Sequence, residues 1–455
     1  MRVYLPRREE LSELLRLALP VAAVQVGMML MGVVDTIMVG HVSPADLAAV
    51  ALGNIYFFAC AVFGMGLLFS LDPVVSQAVG AGDEEAMARG VQRGLLLALG
   101  LTVVAGILLL AAEPVLVVLR QPAEVIPKAA GYALATIPGV LPFYLFVVLR
   151  QTLQARGHVL PILSAMVVAN LANVLFNWIL VYGNLGAPAM GAVGSGWASS
   201  LSRAVMAAGL LVISWSLLRD QLLPFRPQVL RWAPLSRMLR MGAPIGAQMG
   251  MEYGAFGLAG ILMGVLGTVS VAGHQIALNL AALTFMVPLG VSQATAVLVG
   301  RGVGALDPDR SRRAAAGGLL VGAGFMVVTM VVFFLAPGPL ARIYSSDPAV
   351  VALAASLLPI AALFQVFDGI QVVSLGVLRG VGDTRVPMLM NLLGFWLAGL
   401  PVGVLLAFRG GMGPRGLWWG LALGLAVVAV LLVLRIRRRL AGELERFDTG
   451  DEEHE

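Results

Sequence analysis

The sequence predicts an all-α polytopic membrane protein, with twelve transmembrane helices in two six-helix lobes related by a pseudo-two-fold axis along the membrane normal. Three observations predict it. The 455-residue chain is 59% hydrophobic and 12% charged, against roughly 25% charged for a soluble domain. Apolar runs long enough to span a bilayer, about 20 residues each, recur from end to end and leave no stretch for a separate soluble domain. The second half of the chain also repeats the first.

Taken in order, the expected spans are residues 14–40, 46–79, 90–112, 125–149, 158–183, 191–218, 238–266, 271–300, 314–336, 349–378, 386–408 and 416–434. Several exceed the minimum length, which implies tilt or kinks. Pro73, Pro138, Pro288 and Pro359 lie inside spans, where a freed carbonyl is tolerated if it faces protein or a cavity. Orientation follows from the basic residues of the short loops. With the N-terminus in the cytoplasm, 24 of the 30 Lys and Arg residues fall on that side. Arg120, Lys128, Arg342, Arg409 and Arg415 fall opposite, and Arg203 lies within a span. Both termini are therefore expected in the cytoplasm. The net charge of +5 is a topology signal and does not point to nucleic acid. Cys60 is the single cysteine, so no internal disulfide can form. The start, MRVYLPRREELSELL, runs directly into a full-length span and lacks a cleavable signal pattern.

The repeat has an offset of about 224 residues. LLRLALPVAAVQVG aligns with MLRMGAPIGAQMGM, pairing Arg16 with Arg240 and Pro20 with Pro244. VGAGDEEAMARG matches VGALDPDRSRRA, and LQARGHVLPIL matches LRGVGDTRVPML. Six spans per unit is an even number, so both lobes enter from the same side and the repeat is parallel. The expected organisation is an N-terminal lobe over 1–220, a cytoplasmic linker over 221–237, a C-terminal lobe over 238–438 and an acidic cytoplasmic tail over 439–455. Pro224, Pro227 and Pro234 mark the linker region.

Three carboxylates interrupt the apolar spans: Asp35, Glu252 and Asp368. A charge at mid-bilayer costs about 2.5 to 3.5 kcal/mol on insertion scales, and such residues usually mark an ion, proton or substrate path. Phe364, Gln365, Asp368 and Gln371 share one helical face, either lining an aqueous cavity or bonding between helices. Glu252 follows Gln248 by one turn in the helix that opens the second lobe. If Glu252 and Asp368 approach each other, they can share a proton, or an Na+ held by hard oxygen ligands. Asp35 lies close to the outer end of its span. Asn170, Asn173 and Asn177 form a polar stripe that suits packing or substrate contact. Asp72 precedes Pro73 and can cap or kink its helix. Gln25 and Asn279 are further candidates for polar support, and His274 and Gln275 begin the eighth span with Asn279. Enzyme chemistry is not expected. The four histidines, His41, His158, His274 and His454, are scattered, so the usual His/Cys metal or haem centre lacks ligands. A phosphate-binding Gly-x-x-x-x-Gly-Lys-[Ser/Thr] loop is also absent. Transport energy must then come from an ion gradient or a partner protein.

The runs PVAAVQVGMMLMGVVDTIMVGHVSPADLAAVALGN, NWILVYGNLGAPAMGAVGSGWA, AGHQIALN and FQVFDGIQVVSLGVLRGVGDTRVP together resemble the multidrug and toxic compound extrusion family, and its NorM-like branch most of all. The resemblance spans residues 10 to 438. It implies two bundled lobes exporting amphipathic, usually cationic, compounds in exchange for Na+ or H+, with no cofactor. It assigns cation coupling to Asp35, Glu252 and Asp368, with a possible Na+ at Glu252 and Asp368. Asn173 and Asn177 stand where a DinF-like branch has an asparagine and an aspartate, so a second first-lobe acid is missing. Phe364 stands where NorM-like relatives can carry a tyrosine. The expected setting is the cytoplasmic (inner) membrane of a bacterium or archaeon. The expected partners are drug-like small molecules and lipid, with no nucleic acid, and the chain is expected to be a monomer. Two other readings were a lipid-linked saccharide flippase, which would need a more cationic cavity, and a non-transporting scaffold.

Overall fold

The structure, a computed structural model, describes residues 6–447. No strand occurs among them. Twelve long helices run in order: α1 (Arg8–Gly40), α2 (Pro44–Ala81), α3 (Glu84–Leu110), α4 (Ile126–Arg156), α5 (Leu160–Leu180), α6 (Gly191–Ile213), α7 (Trp232–Val265), α8 (Thr268–Gly304), α9 (Pro308–Leu335), α10 (Pro348–Gly380), α11 (Arg385–Arg409) and α12 (Pro414–Ala441). Eleven are long and apolar enough to cross a membrane. The remaining one, α7, has 34 residues and carries Arg237, Arg240 and Glu252, which lower its apolarity. The expected last eight tail residues, 448–455, lie outside the described residues, as do residues 1–5.

The helices are longer than the expected spans because polar residues cap them beyond the apolar runs. Asp83 and Asp307, 224 positions apart, accept from the backbone N–H of Ala86 at 2.8 Å and of Arg310 at 2.9 Å, each satisfying an otherwise unpaired donor of a first turn. The residue before each cap has positive φ, 71° at Gly82 and 55° at Leu306. The repeat thus preserves the turn even where leucine replaces glycine, at a cost of roughly 1–2 kcal/mol for a side chain in that region. Ser43 caps α2 and Asp347 caps α10. Pro138 sits in a tight three-residue turn, Ile137–Gly139, within α4. In α2 the helix breaks at residues 69–70, two positions before Asp72 and Pro73.

The chain divides into two compact units. Among described residues one comprises 24–246, and the other 6–23 with 247–447. The expected lobes, 1–220 and 238–438, assign α1 and α7 whole to one lobe each, whereas the compact units divide both helices. Each division follows a repeat-related proline, Pro20 or Pro244. The expected linker belongs to the first unit and is firmly bonded there. Gln92 on α3 donates to the carbonyls of Gln221 at 3.1 Å and Pro224 at 3.0 Å and accepts from the backbone N–H of Arg226 at 3.0 Å. Arg226 also reaches Glu85 at 2.7 Å.

Within residues 24–246, α6 packs against α5, α4 and α2. Gly196 permits this approach, since a Cβ there would stand 2.8 Å from the Tyr132 carbonyl oxygen of α4. In the other unit α10 is central, packing on α8, α9 and α12. Gly380 plays the matching part, a Cβ there lying 2.7 Å from the Ala296 carbonyl oxygen of α8. The two helices drawn to the middle of their units are those that carry Ser199 and Arg203, and Asp368.

Candidate functional sites

In the first unit, α1 brings Asp35 inward until it is 3% exposed. A carboxylate so placed needs donors, and three converge on it. Asn173 donates to Oδ1 at 3.0 Å, Asn177 donates to the same oxygen at 2.7 Å, and the Ser199 hydroxyl donates to Oδ2 at 2.5 Å. The first two come from successive turns of α5, so part of the polar stripe has this purpose. Asn170 does not share it; its amide donates to the Gly27 and Met166 carbonyls, which is packing. Arg203, one turn beyond Ser199, and Tyr132 on α4 lie within electrostatic reach of Asp35. Gln25 is elsewhere in the unit, accepting from Arg150 Nη1 at 2.9 Å. Asp72 is buried, and its backbone carbonyl accepts from the Ser76 hydroxyl.

In the second unit, α7 and α10 bring two acids together. Gln371 Nε2 donates to Glu252 Oε2 at 3.3 Å, and Gln248 hydrogen-bonds the same carboxylate. Asp368 is 7% exposed and within electrostatic reach of Glu252. No cationic side chain acts on either acid among the described residues. The two carboxylates and amide oxygens are hard ligands suited to a small cation. Gln371 Oε1 is buried and makes no hydrogen bond to another protein group. Gln365, on the same polar stripe, serves packing on one side, accepting from the Thr329 hydroxyl at 2.7 Å.

One turn from each acid the environment becomes aromatic. Phe256 follows Glu252 and Phe364 precedes Asp368, and their rings meet edge to face with centroids 6.0 Å apart. Phe364 also meets Trp418 at 5.6 Å, and Trp418 meets His274 at 5.7 Å. Asn279 is outside this group; its side-chain oxygen accepts from Gln275 at 3.4 Å. No cluster of three or more His, Cys, Asp or Glu side chains suited to a metal occurs among the described residues. Sequence reasoning missed Ser199, Tyr132, Phe256 and Trp418. Ser199 was findable, since it lies one turn before Arg203, a basic residue in the middle of its span. The aromatic residues were not, because rings within spans usually face lipid or neighbours.

Comparison with known proteins agrees with this architecture. One family model, MatE, matches residues 20–179 and 244–405, one segment in each half of the repeat. The chain is 40% identical over 441 residues to the "Probable multidrug resistance protein NorM" of Mesorhizobium japonicum, covering 95% of this chain and 94% of that one. It is 38% identical over 456 residues to the "Multidrug resistance protein PmpM" of Pseudomonas aeruginosa, covering 98% and 96%. Among solved structures, the eukaryotic MATE transporter AtDTX14 superposes with a TM-score of 0.87 at 23% identity, covering 95% of this chain and 99% of that one. The Vibrio cholerae MATE transporter VcmN in the bent form superposes with a TM-score of 0.84 at 20% identity, covering 96% and 98%.

Proposed function

Since the chain belongs to the MatE family of multidrug and toxic compound extrusion transporters, multi-pass membrane proteins that are not enzymes, we propose that it is a secondary antiporter. It exports amphipathic organic cations in exchange for Na+ or H+ by alternating access, working as a monomer in the cytoplasmic membrane with both termini inside. The coupling ion binds at Glu252 and Asp368, and Asp35 is the third acid of the cycle. A flippase of lipid-linked saccharides finds little support, since a diphosphate needs several cations and the relatives are named for drug resistance.

The observation that carries the reading is the second-unit pair: two carboxylates among apolar helices, one bonded to Gln371 at 3.3 Å, with no cationic side chain among the described residues acting on either. Two uncompensated acids in a low-dielectric setting are unfavourable, and a proton or Na+ relieves the repulsion. Gln248 and Gln371 hold the Glu252 carboxylate in place. A bound organic cation can relieve the same charge, so drug and ion compete for one anionic site, and exchange follows from that competition.

The test is efflux of a fluorescent organic cation from proteoliposomes under separately imposed Na+ and pH gradients. Glu252→Gln and Asp368→Asn are expected to abolish gradient-driven export while leaving the protein monodisperse. Undiminished export in both variants would contradict the assignment.

A further inference from the structure

Within the second unit, α11 grips α7 on both sides of Glu252. Over Leu392–Gly399, α11 winds as a π-helix, a form that is rare and frequent at functional sites. The backbone N–H of Leu400 donates to the Phe395 carbonyl, five residues back. The glycines of α11 supply the physical reason. Gly394 and Gly399 both lie against α12: a Cβ at Gly394 would stand 2.8 Å from the Gly424 carbonyl oxygen, and one at Gly399 3.0 Å from the Gly420 carbonyl oxygen. A step of five residues along an α-helix turns about 500°, which would set these glycines roughly 140° apart. The i→i+5 bonding of a π turn brings them back toward one face.

The wide turn presents two adjacent rings to α7. Phe395, 1% exposed, meets the Phe256 ring with centroids 5.9 Å apart. Trp396 Nε1 donates to the Met251 carbonyl at 3.1 Å. Its ring also covers Gly254, where an added Cβ would stand 3.4 Å from Trp396 Cζ2. Met251 on one side, and Gly254 and Phe256 on the other, bracket Glu252. An indole N–H inside a span needs an acceptor, and this one takes the carbonyl of the residue next to the acid. A main-chain carbonyl has two lone pairs, so Met251 can accept from Trp396 and keep its place in the helix. The bond fixes the rotation of α7 about its own axis, and with it the direction of the Glu252 side chain. That direction matters because the bond from Gln371 to Glu252, at 3.3 Å, is already longer than the usual range, and a small rotation breaks it. The outer half of α7 needs such a hold, since the compact unit that contains Glu252 takes in α7 only from residue 247 onward.

We propose that Trp396 is a positioning residue for the coupling pair: the π turn of α11 sets Phe395 and Trp396 against α7 and holds Glu252 where it shares one cation with Asp368. The proposal rests on the reading of Glu252 and Asp368 as the ion site. Trp396 does not touch the ion; it acts through the Met251 carbonyl.

The experiment follows export of a fluorescent organic cation from proteoliposomes as the imposed concentration of the driving ion, Na+ or H+, is varied. It separates the ion concentration that gives half-maximal export from the maximal rate. Trp396→Phe keeps a ring and removes the N–H. It is expected to need about fivefold more ion, the factor that corresponds to one net hydrogen bond, with the maximal rate at saturating ion unchanged. Trp419→Phe makes the same change at a tryptophan of α12 that is 40% exposed, and should match the native protein. Gly254→Val displaces the indole without altering it; it should shift the half-maximal concentration in the same direction and add nothing when combined with Trp396→Phe. An unshifted half-maximal concentration in Trp396→Phe overturns the proposal. So does a lower maximal rate with the ion dependence intact, or additive shifts in the double variant. If Trp396→Phe does not fold, an unshifted Gly254→Val overturns it instead. The underlying reading is judged separately in Glu252→Gln: native ion dependence there contradicts the coupling pair, whereas the role of Trp396 is read only from the shift its own variants produce.

Discussion

Asp35 in the first unit and the Glu252–Asp368 pair in the second are all carboxylates inside apolar helices, yet their surroundings differ in kind. Asp35 receives three hydrogen bonds of 2.5 to 3.0 Å and has Arg203 one turn from its serine donor. Glu252 receives amide hydrogen bonds from Gln248 and Gln371, and its charged neighbour is another acid. A repeat that preserves the Asp83 and Asp307 helix caps has therefore not preserved the electrostatics of its acids. Asp35 has an arginine within electrostatic reach, whereas the charged neighbour of Glu252 is Asp368. The difference teaches that an acid within a span is a clue to a pathway only after its counter-charge has been found.

The largest expected effect breaks the comparison at the acids. Glu252→Gln or Asp368→Asn removes half the charge of the second site, and gradient-driven export should fall to background; Asp35→Asn should retain a measurable part of it. Next is the stability of the first site. Arg203→Met removes the charge within electrostatic reach of Asp35, and since the two make no direct ion pair the loss should stay below the roughly 3–5 kcal/mol of a bonded buried pair. The Arg203→Met/Asp35→Asn double variant should recover part of that loss, and thermal unfolding in detergent reads the cycle. Strict additivity would show that the two charges do not interact. Smaller still, Asn177→Ala removes a donor 2.7 Å from Asp35 and should cost about 1.5–3 kcal/mol, the range for hydrogen bonds to charged groups. The equivalent truncation at Gln371, whose bond to Glu252 is 3.3 Å, should cost less stability and change ion affinity more. The smallest effects sharpen the likeness of the halves: Asp83→Ala and Asp307→Ala each lose a helix cap, and each should cost about 1 kcal/mol. Unequal losses would mean that the repeat-related turns differ in importance.

Much of the fold was legible because it rests on long-period signals. Apolar run length and the 224-residue repeat are properties of many residues at once, and neither depends on a single contact. The division of α1 after Pro20 and of α7 after Pro244 was not legible. It depends on which neighbours each half-helix meets, although the paired prolines were visible. The sites were legible on each helix and opaque between helices. Spacing placed Phe364, Gln365, Asp368 and Gln371 on one face, but only packing decides that Gln371 meets Glu252 while Gln365 meets Thr329. Asp35 appeared to lack a partner because its expected second acid is Asn177. Its partners instead came from residues of ordinary appearance, Ser199 among small residues of α6 and Tyr132 at a tight helix crossing. Arg203 stood out in the sequence as a lone charge, but its effect depends on an acid 168 positions earlier.

The most direct test of the difference between the two acid sites is the number of cations released when a fluorescent organic cation binds to purified protein, measured in the native chain and in single carboxylate-to-amide variants. The expected result is release in the native protein and in Asp35→Asn, and none in Glu252→Gln or Asp368→Asn. Release that disappears in Asp35→Asn and persists in the other two would contradict it.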